Sequence, residues 1–82
     1  MSKLKRKEFG KYIVADPAIC HGKLTFKDTR IFVKDIVEMV ADGMDWDKIM
    51  EEWDNVINHE AIAEAVHLAG QTLEEKERQL AA

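Results

Sequence analysis

The hydrophobic period changes at Val33, and no other feature constrains the fold as much. Before that residue, apolar side chains come in short runs separated by turn formers. Tyr12-Ile13-Val14 is a β-prone run closed by the turn signal Asp16-Pro17. Residues 22–33, GKLTFKDTRIFV, place Leu24 and Phe26 on one face with Thr25 on the other. Leu24-Thr25-Phe26 and Thr29-Arg30-Ile31 flank Lys27 and Asp28, which reads as a β-hairpin. A tight primed turn wants positive φ at its centre, and Asp tolerates that better than most residues.

From Val33 onward the spacing is helical. Val33, Ile36, Val37, Val40 and Ala41 form one apolar stripe. Gly43 is placed to stop this first helix as a C′ glycine. Asp45 is the natural N-cap of a second helix, with Trp46, Ile49, Met50 and Trp53 on one face, and Asp54-Asn55 breaks it. Asn58 caps a third helix whose stripe is Ile62, Ala65, Val66, Ala69 and Leu73. That helix either runs through Gly70 to Leu80 or kinks there, since an interior glycine costs on the order of 1 kcal/mol relative to Ala. Strands followed by helices give an α+β class. Residues 1–11 are expected to be a flexible basic tail. Residues 12–82 are expected to be a single domain, with strand and hairpin over 12–33 and helices over 34–82.

A chain of 82 residues makes one small domain with a modest core, so self-association is a natural source of further buried area. Cys20 is the only cysteine, which excludes an intramolecular disulfide and fits a reducing cytoplasm. No apolar run approaches the roughly 20 residues of a membrane helix. The start, MSKLKRKEFG, is basic with no apolar stretch behind it, and is expected not to be a signal peptide.

The net charge of −4 conceals an asymmetry. Residues 1–34 carry nine bases and three acids; residues 35–82 carry three bases and thirteen acids. A basic front and an acidic back are expected to serve different partners, although a solubilising charge on a plain globular domain accounts equally for the pattern.

The segment from Tyr12 to about Ala69 resembles the domain-of-unknown-function family 433, small prokaryotic proteins described as antitoxin-like. The resemblance is carried by Ile13-Val14-Ala15-Asp16-Pro17-Ala18-Ile19-Cys20-His21-Gly22-Lys23 and by Thr29-Arg30-Ile31-Phe32-Val33. Gly43 falls between the first two helices, and Asn58 at the cap of the last. Two positions depart from the pattern: Leu24 stands for the usual proline and Asp28 for the usual glycine. The resemblance implies a β-hairpin followed by a three-helix, helix-turn-helix unit of homeodomain-like type. It also implies dimers and a nuclease-like toxin as partner, with the protein as antitoxin and self-repressor.

The third helix would then be the one that enters the major groove, yet it offers Glu60 and Glu64 and no Lys or Arg until residue 76. Two carboxylates repel phosphates. If operator DNA binds, its contacts are expected from Lys3, Lys5, Arg6, Lys7, Lys11, Lys23, Lys27 and Arg30, through an arm or a β-ribbon. Arg30 also has a structural reading, an ion pair to Asp35 or Glu38, suited to a guanidinium fork. Trp46, Trp53, Glu60 and Glu64 are the candidates for a protein partner or dimer contact. Glu64 and His67 form a lone E-x-x-H pair, too few ligands for a metal site. Cys20 reads as a small, partly buried hydrophobe.

Ser2 is the only serine, and no nucleophile, base and oxyanion donor come together. Neither a phosphate-binding glycine loop nor a cofactor motif is present. The residues thus point to a non-enzymatic, cytoplasmic protein, and the family resemblance implies that it is a homodimeric antitoxin-like one with toxin and operator DNA as partners. The alternative is a homodimeric protein-interaction module that does not bind DNA.

Overall fold

In the computed structural model, which describes residues 5–81, three short strands precede three helices. The strands are β1 (Lys7–Glu8), β2 (Ile13–Ala15) and β3 (Leu24–Phe26), paired antiparallel in the order β1-β2-β3. The helices are α1 (Val33–Ala41), α2 (Trp46–Glu52) and α3 (His59–Ala81). The α+β expectation is met, and the change of period at Val33 falls on the first residue of α1.

Register decides which strand residues face the helices. Ile13 pairs with Phe26 and Val14 with Thr25, so each pair shares a sheet face. Ile13 and Phe26 join Val33 and Ile36 of α1, Ile49 of α2, Ile57, and Ala61, Ile62 and Ala65 of α3 in one core. Val14 and Thr25 are buried on the opposite face. The Thr25 hydroxyl there has no hydrogen-bond partner among the described residues.

The sheet differs from expectation at both ends. Of the expected tail, residues 1–4 lie outside the described residues, and with them Lys3. Lys7–Glu8 is not tail but the edge strand, in register with Val14 and Ala15. The hairpin is also abbreviated. Residues 29–31 make no strand; an isolated bridge between Thr25 and Phe32 and the bond from Phe26 N–H to the Ile31 carbonyl (3.2 Å) are what pair them. Thr29 turns its hydroxyl to local use instead. It donates to the Phe26 carbonyl at 2.8 Å and accepts from Ile31 N–H at 3.0 Å, an alternative to the ladder that Thr side chains offer.

The turn sits at Lys27 and Asp28 as read from the sequence, but it is not primed. Only Asp28 has positive φ, at 62°, whereas a primed turn needs it at the first central position. Asp28→Gly is therefore expected to stabilise the protein by some tenths of a kcal/mol up to about 1, because glycine occupies this region without steric cost. Chemical denaturation of the two proteins measures this; a loss of stability would mean that the Asp28 side chain contributes more than its backbone strain removes.

The helix limits follow local chemistry. Gly43, at φ 84°, donates its N–H to the Val40 carbonyl and ends α1. Asp45 occupies the N-cap of α2 with extended backbone, but its side chain makes no capping bond. Asp54 and Asn55, both at positive φ, reverse the chain after α2. Asn58 caps α3 with its side chain, its Oδ1 accepting from Ala61 N–H at 2.8 Å. The helix then runs unbroken through Gly70, and residues 70–81 are all exposed.

Candidate functional site

Glu60 and Glu64 are one helical turn apart, so they share a face of α3. That face meets the turn between β1 and β2. The Glu64 carboxylate accepts from Tyr12 N–H at 2.7 Å and from Lys11 N–H at 2.9 Å. Glu60 accepts from the Tyr12 hydroxyl at 2.7 Å. Two charge-assisted bonds to consecutive backbone N–H groups hold the turn on the helix more firmly than neutral bonds would. The approach is close enough to exclude a side chain at residue 10. A Cβ on Gly10 would stand 2.7 Å from the Glu64 carboxyl carbon, and its φ of 117° is itself a glycine conformation.

The acids that looked like an obstacle to DNA are thus engaged inside the chain. They bring the basic turn to α3. Lys11 lies over the Tyr12 ring at 5.4 Å and Lys7 over Phe9 at 5.6 Å. Lys27 lies at the same end of the sheet, since its N–H donates to the Tyr12 carbonyl at 2.8 Å. Its ammonium is 3.4 Å from Glu8, and Arg6 is 3.7 Å from the same carboxylate. These are exposed or half-exposed pairs that contribute little to stability. Of the candidate cations, Lys5 and Arg6 precede β1, Lys7 lies on it, Lys11 is in the clamped turn and Lys27 in the turn after β3. Lys23 is elsewhere, before β3, and shares the rim of an apolar groove with Lys34.

Arg30 is exposed, and among the described residues it makes no ion pair. The expected pair with Asp35 or Glu38 does not form. Residues 29–31 leave the ladder, so the Arg30 side chain is not aimed at α1 by a strand.

Trp46 and Trp53 are half-buried and pack against the core from α2 and its end. Trp46 meets His59 edge-on, with centroids 5.9 Å apart and an interplanar angle of 68°. His59 Nε2 lies 2.8 Å from Asp47 Oδ1. This ties the start of α3 to the first turn of α2, a link that spacing alone did not suggest. Cys20 is partly buried and begins a turn, Cys20–Gly22, in which all three residues have positive φ. Among the described residues no three His, Cys, Asp or Glu side chains converge in a metal-binding group. Glu64 is committed to the turn, and His67 stands exposed on α3.

A cleft of about 70 Å³ lies between Tyr12, Lys27, Thr29 and Asn58. A larger groove of about 650 Å³ runs between α1 and α3 over an apolar floor. No described helix is long and apolar enough to cross a membrane.

The carboxylate clamp could not be read from sequence because its partners are 52 and 53 residues apart. Its one local trace is Gly10 within a basic segment, which glycine alone does not distinguish from a linker.

A family model described as a protein of unknown function, DUF433, matches residues 13–69. No curated protein and no solved structure matches the chain.

Proposed function

The chain belongs to the DUF433 family, and from that membership and the geometry above we propose that it is a non-enzymatic, antitoxin-like binding protein. In this reading it is a cytoplasmic homodimer. Its basic front, from the segment before β1 through the β1–β2 turn, contacts operator DNA, and its acidic helical half receives a basic, nuclease-like toxin. The three helices serve as a helix-turn-helix scaffold of homeodomain-like type. The observation that carries the reading is the clamp of Glu64 on Lys11 N–H and Tyr12 N–H. It fixes a cationic turn beside α3, so cations from the front of the chain and the helix present one surface. Phosphate contacts from Lys and Arg supply the sequence-independent part of DNA affinity.

Lys5, Arg6 and Lys7 replaced together by Ala are expected to weaken DNA binding uniformly across sequences. The slope of log affinity against log salt should fall by about 3, one unit per lost phosphate contact. His67→Ala, an exposed change on α3, should leave affinity unchanged. Both are measured by fluorescence anisotropy on a duplex from the gene's own upstream region, at two salt concentrations. Loss of sequence preference in His67→Ala with a normal triple mutant would assign base reading to α3 and reverse the surfaces. No binding by the wild type at low salt would remove the DNA half.

The second reading, a homodimeric protein-interaction module without DNA, would then stand. It is favoured by the apolar groove and by the exposed acids of α3 at Glu74, Glu75 and Glu77.

A further inference from the structure

The last three turns of α3 are exposed, with only Thr72 and Leu73 at the edge of the groove between α1 and α3 among the described residues. Residues 70–81 are all exposed, and about twelve residues of isolated helix are marginal in water. They nonetheless carry apolar side chains on the stripe begun by the buried part of the helix. Val66 is 37% exposed, Leu73 66% and Leu80 78%. The same stripe borders the groove between α1 and α3, whose floor includes Leu24, Phe32, Val37 and Leu68. An exposed apolar stripe continuous with an apolar groove marks an interaction surface.

We propose that this surface receives the α3 arm of a second copy of the chain, the two helices crossing antiparallel about a two-fold axis at Leu73. The inference rests on the homodimer reading above and gives it an interface. An isologous contact requires one patch to be its own complement, and three features supply this. Seven residues separate Leu73 from both Val66 and Leu80, so pairing about Leu73 sets Leu80 of one copy against Val66 of the other. Three residues separate Leu73 from both Gly70 and Lys76, so Lys76 of one copy lies over Gly70 of the other.

Nothing among the described residues packs against Gly70. A Cβ there would meet nothing within 4 Å, although glycine is the poorest helix former after proline. Close approach of a second helix carrying Lys76 gives the glycine a role, the lysine stem covering apolar surface while its ammonium reaches water. Charge agrees as well. Lys23, Lys34 and Glu38 rim the groove, while the incoming arm carries Glu74, Glu75 and Glu77 against Lys76 and Arg78, the latter already paired with Glu75, so the groove is net positive and the arm net negative.

The test is sedimentation equilibrium of the full chain at micromolar concentration, with thermal unfolding followed in parallel. Wild type should sediment at twice the monomer mass, more weakly associated as salt rises. Leu73→Glu sets two carboxylates against each other at the axis and should yield monomers that remain helical, since the residue contacts no core. Gly70→Gln should weaken association at least about tenfold (about 1.4 kcal/mol), although it improves helix propensity. A dimeric wild type whose two variants dimerise equally well would overturn this interface and leave the homodimer standing. A wild type that stays monomeric at every concentration would overturn both.

Discussion

Glu64→Ala is expected to lower the unfolding free energy by about 2–4 kcal/mol, a large loss for a carboxylate on a helix surface. The side chain is half-buried and accepts from two backbone N–H groups of the β1–β2 turn. Hydrogen bonds to a charged acceptor contribute about 1.5–3 kcal/mol each, and removing the acceptor leaves the partly buried Tyr12 N–H unpaired. The exposed Lys11 N–H recovers some of its share from water, which sets the lower end of the range. For a domain this small each kcal/mol moves the melting temperature by about 4–8 °C, so a fall of about 10–25 °C is expected by circular dichroism. Glu64→Gln should lose at least half as much, because its one carbonyl oxygen can serve one N–H while its NH2 group faces the other. A change below about 0.5 kcal/mol in Glu64→Ala, the range of ordinary surface substitutions, would show that water replaces the carboxylate without loss.

Gly10→Ala should cost a similar amount by a different route. The φ of 117° at Gly10 is one that residues with a Cβ rarely adopt, and holding such a residue there costs about 1–3 kcal/mol. The new methyl would also sit 2.7 Å from the Glu64 carboxyl carbon. A free carboxylate would swing aside, but this one is held by two N–H groups, so moving it breaks the clamp. A total of about 2–4 kcal/mol follows, and the double-mutant cycle separates its parts. In Gly10→Ala/Glu64→Ala the backbone strain persists while the clash and the clamp are both absent. The double mutant should therefore be more stable than the sum of the single losses predicts, by about 1 kcal/mol or more. Strict additivity would mean that the two residues do not act on one another.

Such a clamp recasts the chemistry of α3. An acidic first half suggests a helix turned away from nucleic acid. With Glu64 bonded to Lys11 and Tyr12 N–H and Glu60 to the Tyr12 hydroxyl, part of that negative charge is met by N–H and hydroxyl dipoles, with the Lys11 ammonium on the same turn. The exposed helix surface beyond the clamp includes Ala63, Val66 and His67. Any nucleic-acid contact near α3 then depends on the turn it holds, and a variant that weakens the clamp would displace the cations as well as destabilise the fold. For this reason the triple mutant at residues 5–7 is a cleaner probe of DNA than changes at Glu60 or Glu64.

The sequence by itself determined the helices, because each limit is written in residues within a few positions of it. Gly43 takes the positive φ that ends α1, Asp54 and Asn55 take those that follow α2, and Asn58 supplies the acceptor for Ala61 N–H. The stripes of Ile36, Ile49 and Ile62 likewise name the buried faces. Asp28 was legible as a positive-φ residue for the same local reason. Tertiary structure alone decided the rest. Lys7–Glu8 is a strand because β2 offers an edge, not because two charged residues favour one. Residues 29–31 have strand-like composition but leave the ladder, since Thr29 satisfies backbone groups on both sides of the turn. Arg30 consequently has no carboxylate partner among the described residues. Glu60 and Glu64 look solvent-facing by period, and their partners arrive from some 50 residues away. Propensity, capping and periodicity act over one or two turns of chain, whereas these contacts exist only once the sheet has packed on α3.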